Sequence, residues 1–222
     1  MMKLSKETTE ILKNFATINP SMIFAEGSVQ KTVSPQKTVL AKANVAESFG
    51  KEFAIYDLNQ LIGKISMFED PDLELGEDMV TITNGSEYRG TQRYAKAELI
   101  QAPPAKDINL PSNDVAFTIE AAALKSVLRA AGVYSLPEIA LVGRDGIAYL
   151  SAIDSRNQGS DVFEKRVGTT DVSYKMIFKI DNLKLLDRDY EVKVSSKGIS
   201  HFKSTTGDVE YWIATEQNST FG

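Results

Sequence analysis

Cysteine is absent from the chain, and His201 is its only histidine. Thiolate nucleophiles, disulfides and Cys-ligated zinc or iron–sulfur centres therefore drop out together. A Ser-His-Asp triad would have to use His201, but "KGISHFKSTTGD" reads as strand and turn, with no nucleophile elbow nearby. Carboxylates come next, since Asp70, Asp72 or Asp154 could hold a divalent metal for nuclease chemistry. The acidic run "EDPDLELGED" at 69–78 contains Pro71 and Gly76, and its spacing fits no EF-hand. It reads as a solvated loop, as does "IDSRNQGSD" at 153–161. No G-x-G-x-x-G or Walker sequence offers a phosphate loop. These patterns point away from an enzyme, and no metal or cofactor is expected. What remains is a set of cations at helical spacing: Lys6 and Lys13, Lys64, Lys125 and Arg129, and Lys184. Their chemistry is the attraction of ammonium and guanidinium groups for phosphate oxygens, which positions a polyanion without reading its sequence.

Four amphipathic segments must carry those cations. In "KLSKETTEILKNF" at 3–15, Leu4, Thr8, Ile11, Leu12 and Phe15 fall on one side at helical spacing. Lys6 and Lys13 fall opposite, with Lys3 and Glu10 nearby, and Asn19-Pro20 stops the helix. In "YDLNQLIGKISMF" at 56–68, Asp57 is the expected N-cap, and Leu58, Leu61, Ile62, Ile65 and Phe68 form the apolar face with Lys64 at its flank. "AAALKSVLRAAG" at 121–132 turns Leu124, Val127, Leu128 and Ala131 inward, and Lys125 and Arg129 outward. "DNLKLLD" at 181–187 is expected to form a short fourth helix exposing Lys184.

Short alternating segments surround these helices and predict antiparallel strands. They are "SMIFAEG", "KTVLAKANV", "EFAIYDL", "MVTITN" and "RYAKAELI" in the first half. The second half offers "AFTIE", "VSYKMIFKI", the closing "YEVKVSSKGISHFKSTTGDVEYWIATE", and a hairpin in "EIALVGRDGIAYLSAID" that turns at Arg144-Asp145-Gly146. "QAPPAKDINLPSND" at 101–114 holds three of the seven prolines and reads as a stiff linker between domains at 1–100 and 115–222. The halves overlay: "ILK" at 11–13 recurs as "VLR" at 127–129, and "FAIYDLNQL" at 53–61 as "IFKIDNLKL" at 177–185, with Asp57 over Asp181. One αβ unit is used twice.

Formal net charge is −5, from 25 Lys and Arg against 30 Asp and Glu. Taken alone that balance argues against a polyanion binder. Placement alters the reading, because the helices carry cations outward while strands and loops carry most of the acid. The fold class expected is α+β, with antiparallel sheets on one side and helices on a face turned toward phosphate. No stacking aromatics lie on the helix faces, so single-strand recognition gains little support. No run approaches the roughly 20 apolar residues of a membrane span, and Met1-Met2-Lys3-Leu4 has no signal-type apolar core. An intracellular protein is expected. Two classes stay open from the residues alone: a monomeric or dimeric DNA-binding accessory protein that uses the basic helix faces, and the carboxylate-metal nuclease.

"KLSKETTEILKNFATIN" followed by "FAIYDLNQLIGKIS" resembles the opening domain of the DNA-polymerase sliding clamps of T-even-type bacteriophages, and the likeness continues through "TIEAAALKSVLRAAG", "YWIATE" and the terminal "NST". The resemblance implies a DNA-clamp fold of two similar domains, each with antiparallel sheets outside and two helices on the inner face. It implies a homotrimeric ring around double-stranded DNA, not a catalyst, with Lys3, Lys6, Lys13, Lys64, Lys125, Arg129 and Lys184 facing the duplex. The partners it implies are the replicative DNA polymerase, an ATP-driven clamp loader and late-transcription factors, in the cytoplasm of an infected bacterial host. By the same likeness a partner-peptide groove would involve Ile108, Leu110, Ala214 and Thr215.

Overall fold

Ser5 and Asn19 bracket the first helix, α1 (Lys6–Ile18). The Ser5 hydroxyl accepts from the Thr8 amide at 3.1 Å, and Asn19 ends the helix just before Pro20. A second acceptor reinforces this start, because the Glu47 carboxylate takes hydrogen bonds from the Ser5 amide and the Thr8 hydroxyl. In this computed structural model, which describes every residue but Ser86, the buried stripe is Thr8, Ile11, Leu12, Phe15, Ala16 and Ile18. Leu4 and Lys3 precede the helix instead of joining it. The chain divides into two compact units, Met1–Lys106 and Asp107–Gly222.

In the first unit, β1 (Met22–Phe24) pairs antiparallel with β4 (Phe53–Ile55), and β2 (Gly27–Val33) with β3 (Val39–Phe49). Phe24 stacks on Phe53 with centroids 4.6 Å apart, and Phe49 lies against both rings. The second helix, α2 (Leu58–Ser66), opens at Asp57, whose carboxylate accepts from the Gln60 amide at 2.9 Å. Leu58, Leu61, Ile62 and Ile65 bury its apolar face. Three antiparallel strands follow in the order β5 (Asp72–Leu75), β6 (Met79–Asn84), β7 (Tyr88–Arg93).

Three expectations for this unit change. Strand β2 was not legible because its inward positions include polar Gln30 and Thr32; Gln30 is fully buried and spends its amide on the Ala25 and Gly27 backbone. The acidic run at 69–78 is not all loop, since buried Leu73 opposite Ile82 draws β5 out of it. "RYAKAELI" is not a strand: β7 stops at Arg93, and Ala97–Leu99 forms a 3-10 turn.

In the second unit, β8 (Val115–Ile119) leads to α3 (Ala121–Tyr134). The strands β9 (Glu138–Arg144), β10 (Ile147–Ile153), β11 (Phe163–Thr169) and β12 (Tyr174–Lys179) follow. The last four strands are β13 (Tyr190–Ser195), β14 (Ile199–Ser204), β15 (Val209–Ala214) and β16 (Thr220–Phe221). One antiparallel sheet runs β11-β10-β9-β12-β16, and β8, β13, β14 and β15 pair in a second antiparallel array. The anticipated β9–β10 hairpin forms; Arg144 pairs with Ile147, so the turn narrows to Asp145 and Gly146, both at positive φ. Helix α3 packs on β9, β10 and β11 through Ala123, Leu124, Val127 and Ala131. Residues 101–114 carry neither helix nor strand.

The fourth helix does not form. Only Ile180–Asn182 makes a 3-10 turn, and Leu183 then leaves the helical region at φ −85, ψ 50. Core tyrosines claim the backbone that a helix would need. Tyr190 donates its hydroxyl to the Leu186 carbonyl at 2.8 Å, and the Leu186 amide donates to the Tyr211 hydroxyl at 3.4 Å. Leu183 and Leu186 are buried on that irregular path. The second unit therefore has one α-helix where two were expected, and Lys184 is exposed on a non-helical segment.

The Glu47 cap gives a measurable expectation. Burial raises its pKa, but the hydrogen bonds from Thr8 and Ser5 prevail and hold it below its ordinary 4.5. A depressed carboxylate contributes stability above its unfolded pKa and loses it as pH falls through the folded value. Glu47→Ala should lower the unfolding free energy by about 1–2 kcal/mol at neutral pH. In urea titrations the gap from the parent protein should close as pH drops below 4.5; a gap unchanged into acid would refute the capping role.

Candidate nucleic-acid interface

Burial of one stripe on α1 turns Lys6 and Lys13 to solvent, and among the described residues neither makes an ion pair or hydrogen bond. Glu7 and Glu10 are exposed on the same helix, so its outer surface carries balanced charge, not a basic stripe. Lys3 lies two residues before the cap and is held by Asp70, whose carboxylate raises the Lys3 ammonium above its ordinary value. Lys64, on α2, is half-buried and donates to the Gln92 side chain at 2.7 Å and the Thr91 carbonyl at 3.2 Å. It ties α2 to β7 and is less available to a ligand than its sequence position suggested.

Helix α3 differs in carrying no acidic residue between Ala121 and Tyr134. Arg129 is exposed and, among the described residues, unpaired. Lys125 meets Asp187 at 3.2 Å. The start of the helix is capped from a distance: Glu120 makes no side-chain cap, and the Ala121 amide donates to Asp189 at 2.7 Å. Between α3 and residues 183–188 lies a cleft of about 490 Å³, floored by Leu124, Leu128, Leu183 and Leu186 and flanked by Lys125 and Arg129. Of the seven cations anticipated, the structure brings Lys125 and Arg129 together on one helix and Lys6 and Lys13 on another. It draws Lys3, Lys64 and Lys184 away from helical faces or into local contacts.

The four peptide-groove candidates all fall in the second unit. Ile108 and Leu110 are half-buried in the irregular segment before β8. Ala214 ends β15, and the amide of Thr215 donates to the Gly198 carbonyl at 3.1 Å. None of the four lines the cleft beside α3. The carboxylates weighed for metal chemistry have local uses. Asp70 faces Lys3, and Asp154 accepts from the Arg156 amide at 3.0 Å to close its own turn. Among the described residues no group of three or more His, Asp or Glu could hold a metal ion. His201 pairs with Glu210 at 2.7 Å and stacks on Trp212 with centroids 4.8 Å apart, as a half-buried strand residue.

The partner roles that sequence reasoning missed belong to Glu47, Asp70, Gln92, Asp187 and Asp189. Each reaches a helix, or the residues just before it, from far along the chain, and no local pattern signals that. No described helix is long and apolar enough to cross a membrane.

Comparison with known proteins covers both units. The family described as DNA polymerase processivity factor matches residues 5–98, and that described as gp45 sliding clamp, C terminal, matches 116–217. The chain is 34% identical over 223 residues to a sliding clamp of Vibrio phage KVP40, covering 97% of this chain and 99% of that protein. It is 27% identical over 226 residues to the sliding clamp of Enterobacteria phage T4, covering 99% of each. Among solved structures, the fold resembles a DNA polymerase III subunit beta sliding clamp from Bartonella birtlesii, with TM-score 0.72 at 16% identity over 97% of this chain and 65% of that one. It also resembles A. fulgidus PCNA bound to the C-terminal region of FEN-1, with TM-score 0.70 at 14% identity over 98% of each chain. At such identities the likeness to these two structures speaks for the fold alone.

The geometry separates cations that support the fold from cations that do not. Lys13→Ala and Arg129→Ala should leave the unfolding free energy within about 0.5 kcal/mol of the parent. Lys64→Ala should cost about 1 kcal/mol through its two lost hydrogen bonds. Denaturant titrations check both; a large loss for Lys13→Ala would mean that its side chain has a structural role.

Proposed function

The chain belongs to the sliding-clamp family of DNA polymerase processivity factors, and from that membership we infer that it closes as a homotrimer around duplex DNA and tethers the replicative polymerase to its template. One observation carries the DNA-facing assignment. Lys13 and Arg129 occupy the same position of the repeated helix, in "ILK" and "VLR", and each is exposed without a protein partner among the described residues. An unpaired cation retained at that point in both units suits a phosphate backbone, which presents one charge per about 1.7 Å of duplex.

Long flexible side chains on such helices attract phosphate diffusely, with no fixed register. Bidentate docking would hold one site, whereas this arrangement lets the duplex pass. Lys6 and Lys125 join the same role, and Lys3, Lys64 and Lys184 contribute where their local contacts yield. Assembly can draw on strand edges, which are templates for pairing. Strands β7 and β11 each end a sheet, with exposed Tyr88 on the former and exposed Val162 just before the latter.

The chain has no nucleotide-binding loop, so the energy for opening the ring is assigned to a separate ATP-driven loader. Ile108, Leu110, Ala214 and Thr215 are the candidate seat for short apolar peptides of the polymerase and loader, and late-transcription factors would use the same kind of contact. The role is that of a tether, not a catalyst, acting in the cytoplasm of the infected cell.

Retention on DNA after loading tests the ring. It should persist on circular duplex and fall on linear duplex with free ends, and equal loss from both would overturn the reading. Replacing Lys13 and Arg129 together by alanine should shorten the product length per binding event while the solution size stays that of three chains. Unchanged processivity in that variant would remove these residues from the DNA-facing set.

A further inference from the structure

Two of the anticipated cations, Lys3 and Lys125, are already engaged by carboxylates of their own unit, Asp70 and Asp187. Both pairs are exposed: side-chain exposure is 50% and 75% for Lys3 and Asp70, and 74% and 64% for Lys125 and Asp187. Pairs this exposed contribute little to folding. Yet Asp187 is held on both sides of its own position. On one side the Leu186 carbonyl accepts from Tyr190 at 2.8 Å. On the other, Arg188 donates to the Thr206 carbonyl at 2.8 Å, and Asp189 caps α3 at Ala121.

The first unit repeats the arrangement with different residues. Asp70 follows α2 in the chain as Asp187 follows the 3-10 turn, and it reaches Lys3, two residues before the cap of α1. Its backbone sits at φ 51, a left-handed conformation unusual for a residue with a side chain. Each unit thus places an aspartate against a lysine near the N-terminal end of its leading helix: Lys3 two residues before the cap of α1, and Lys125 in the second turn of α3. The cations further along, Lys13 and Arg129, have none.

We propose that Asp187, and Asp70 in the first unit, are built-in competitors for phosphate that limit how tightly the clamp holds duplex DNA. Lys125 can meet a phosphate only by leaving Asp187, so each contact it makes to duplex gives up the attraction of that pair. The exchange swaps one anion for another and releases fewer counterions than a free lysine would. Affinity and salt dependence are both lowered, while Lys13 and Arg129 supply the constant part of the attraction. The proposal rests on the reading that α3 faces duplex, and the test separates the two.

The test is a titration of a fluorescently labelled duplex of arbitrary sequence with the full chain, by anisotropy, between about 50 and 200 mM salt. The parent is compared with Asp187→Asn, Lys125→Ala and the double variant, each checked for unchanged solution size and circular dichroism. Asp187→Asn should bind about two- to fivefold tighter, with a salt slope steeper by up to about 0.9. Lys125→Ala should bind more weakly, and the double variant should match Lys125→Ala. If Asp187→Asn changes nothing while Lys125→Ala weakens binding, the competitor role fails and the DNA-facing reading stands. If the gain persists without Lys125, Asp187 acts only through the general field, and the pairing proposal is overturned. No effect from Lys125→Ala would overturn the reading beneath it as well.

Discussion

Burial of one stripe on each leading helix fixes where the charges of those helices can point. Ile11, Leu12 and Phe15 pin α1, and Leu124, Val127 and Ala131 pin α3. At helical periodicity, inward apolar residues leave the opposite arc no choice but solvent. Lys6, Lys13, Lys125 and Arg129 are exposed as a consequence of apolar packing, not by any interaction of their own. The cap residues decide where that arc begins. Ser5 and Glu47 set the start of α1, and Asp189 sets that of α3.

The two units share a plan but have diverged in how they support it. In the first, a second α-helix stands beside the leading one, stapled to β7 through Lys64. In the second, the corresponding stretch is a 3-10 turn and an irregular run whose backbone is bound by Tyr190 and Tyr211. Burial pushes the Tyr190 phenol well above its ordinary pKa, so it remains a neutral donor to that run at any physiological pH. Charge has diverged as well. Glu7 and Glu10 balance the lysines of α1, while α3 has no acid of its own and takes its counter-charge from Asp187.

What the sequence disclosed followed from the range of the forces involved. Local periodicity and caps gave α1, α2 and α3, and the Asp145-Gly146 turn gave its hairpin, because those signals lie within a few residues. Strand β2 escaped because buried Gln30 and Thr32 broke the apolar alternation that marks a strand. "DNLKLLD" misled because Leu183 and Leu186 sit at a spacing that helices share, while tyrosine hydroxyls at 190 and 211 decided the outcome from outside the window. The site divides along the same line. That Lys13 and Arg129 face outward was legible from spacing. That Asp70, Gln92 and Asp187 take up three of the other cations was not, since each partner arrives from a distant strand or loop.

The stacking of Trp212 on His201 has a spectroscopic consequence. Trp212 is the chain's one tryptophan, nearly buried, and it lies in the second unit. Indole emission is therefore a private signal of that unit, while the first contributes only tyrosines. A mismatch between indole emission and backbone dichroism during unfolding would reveal whether the halves come apart as one cooperative body or in succession. The chain thus carries its own optical label, on the strand β15 that pairs with β14.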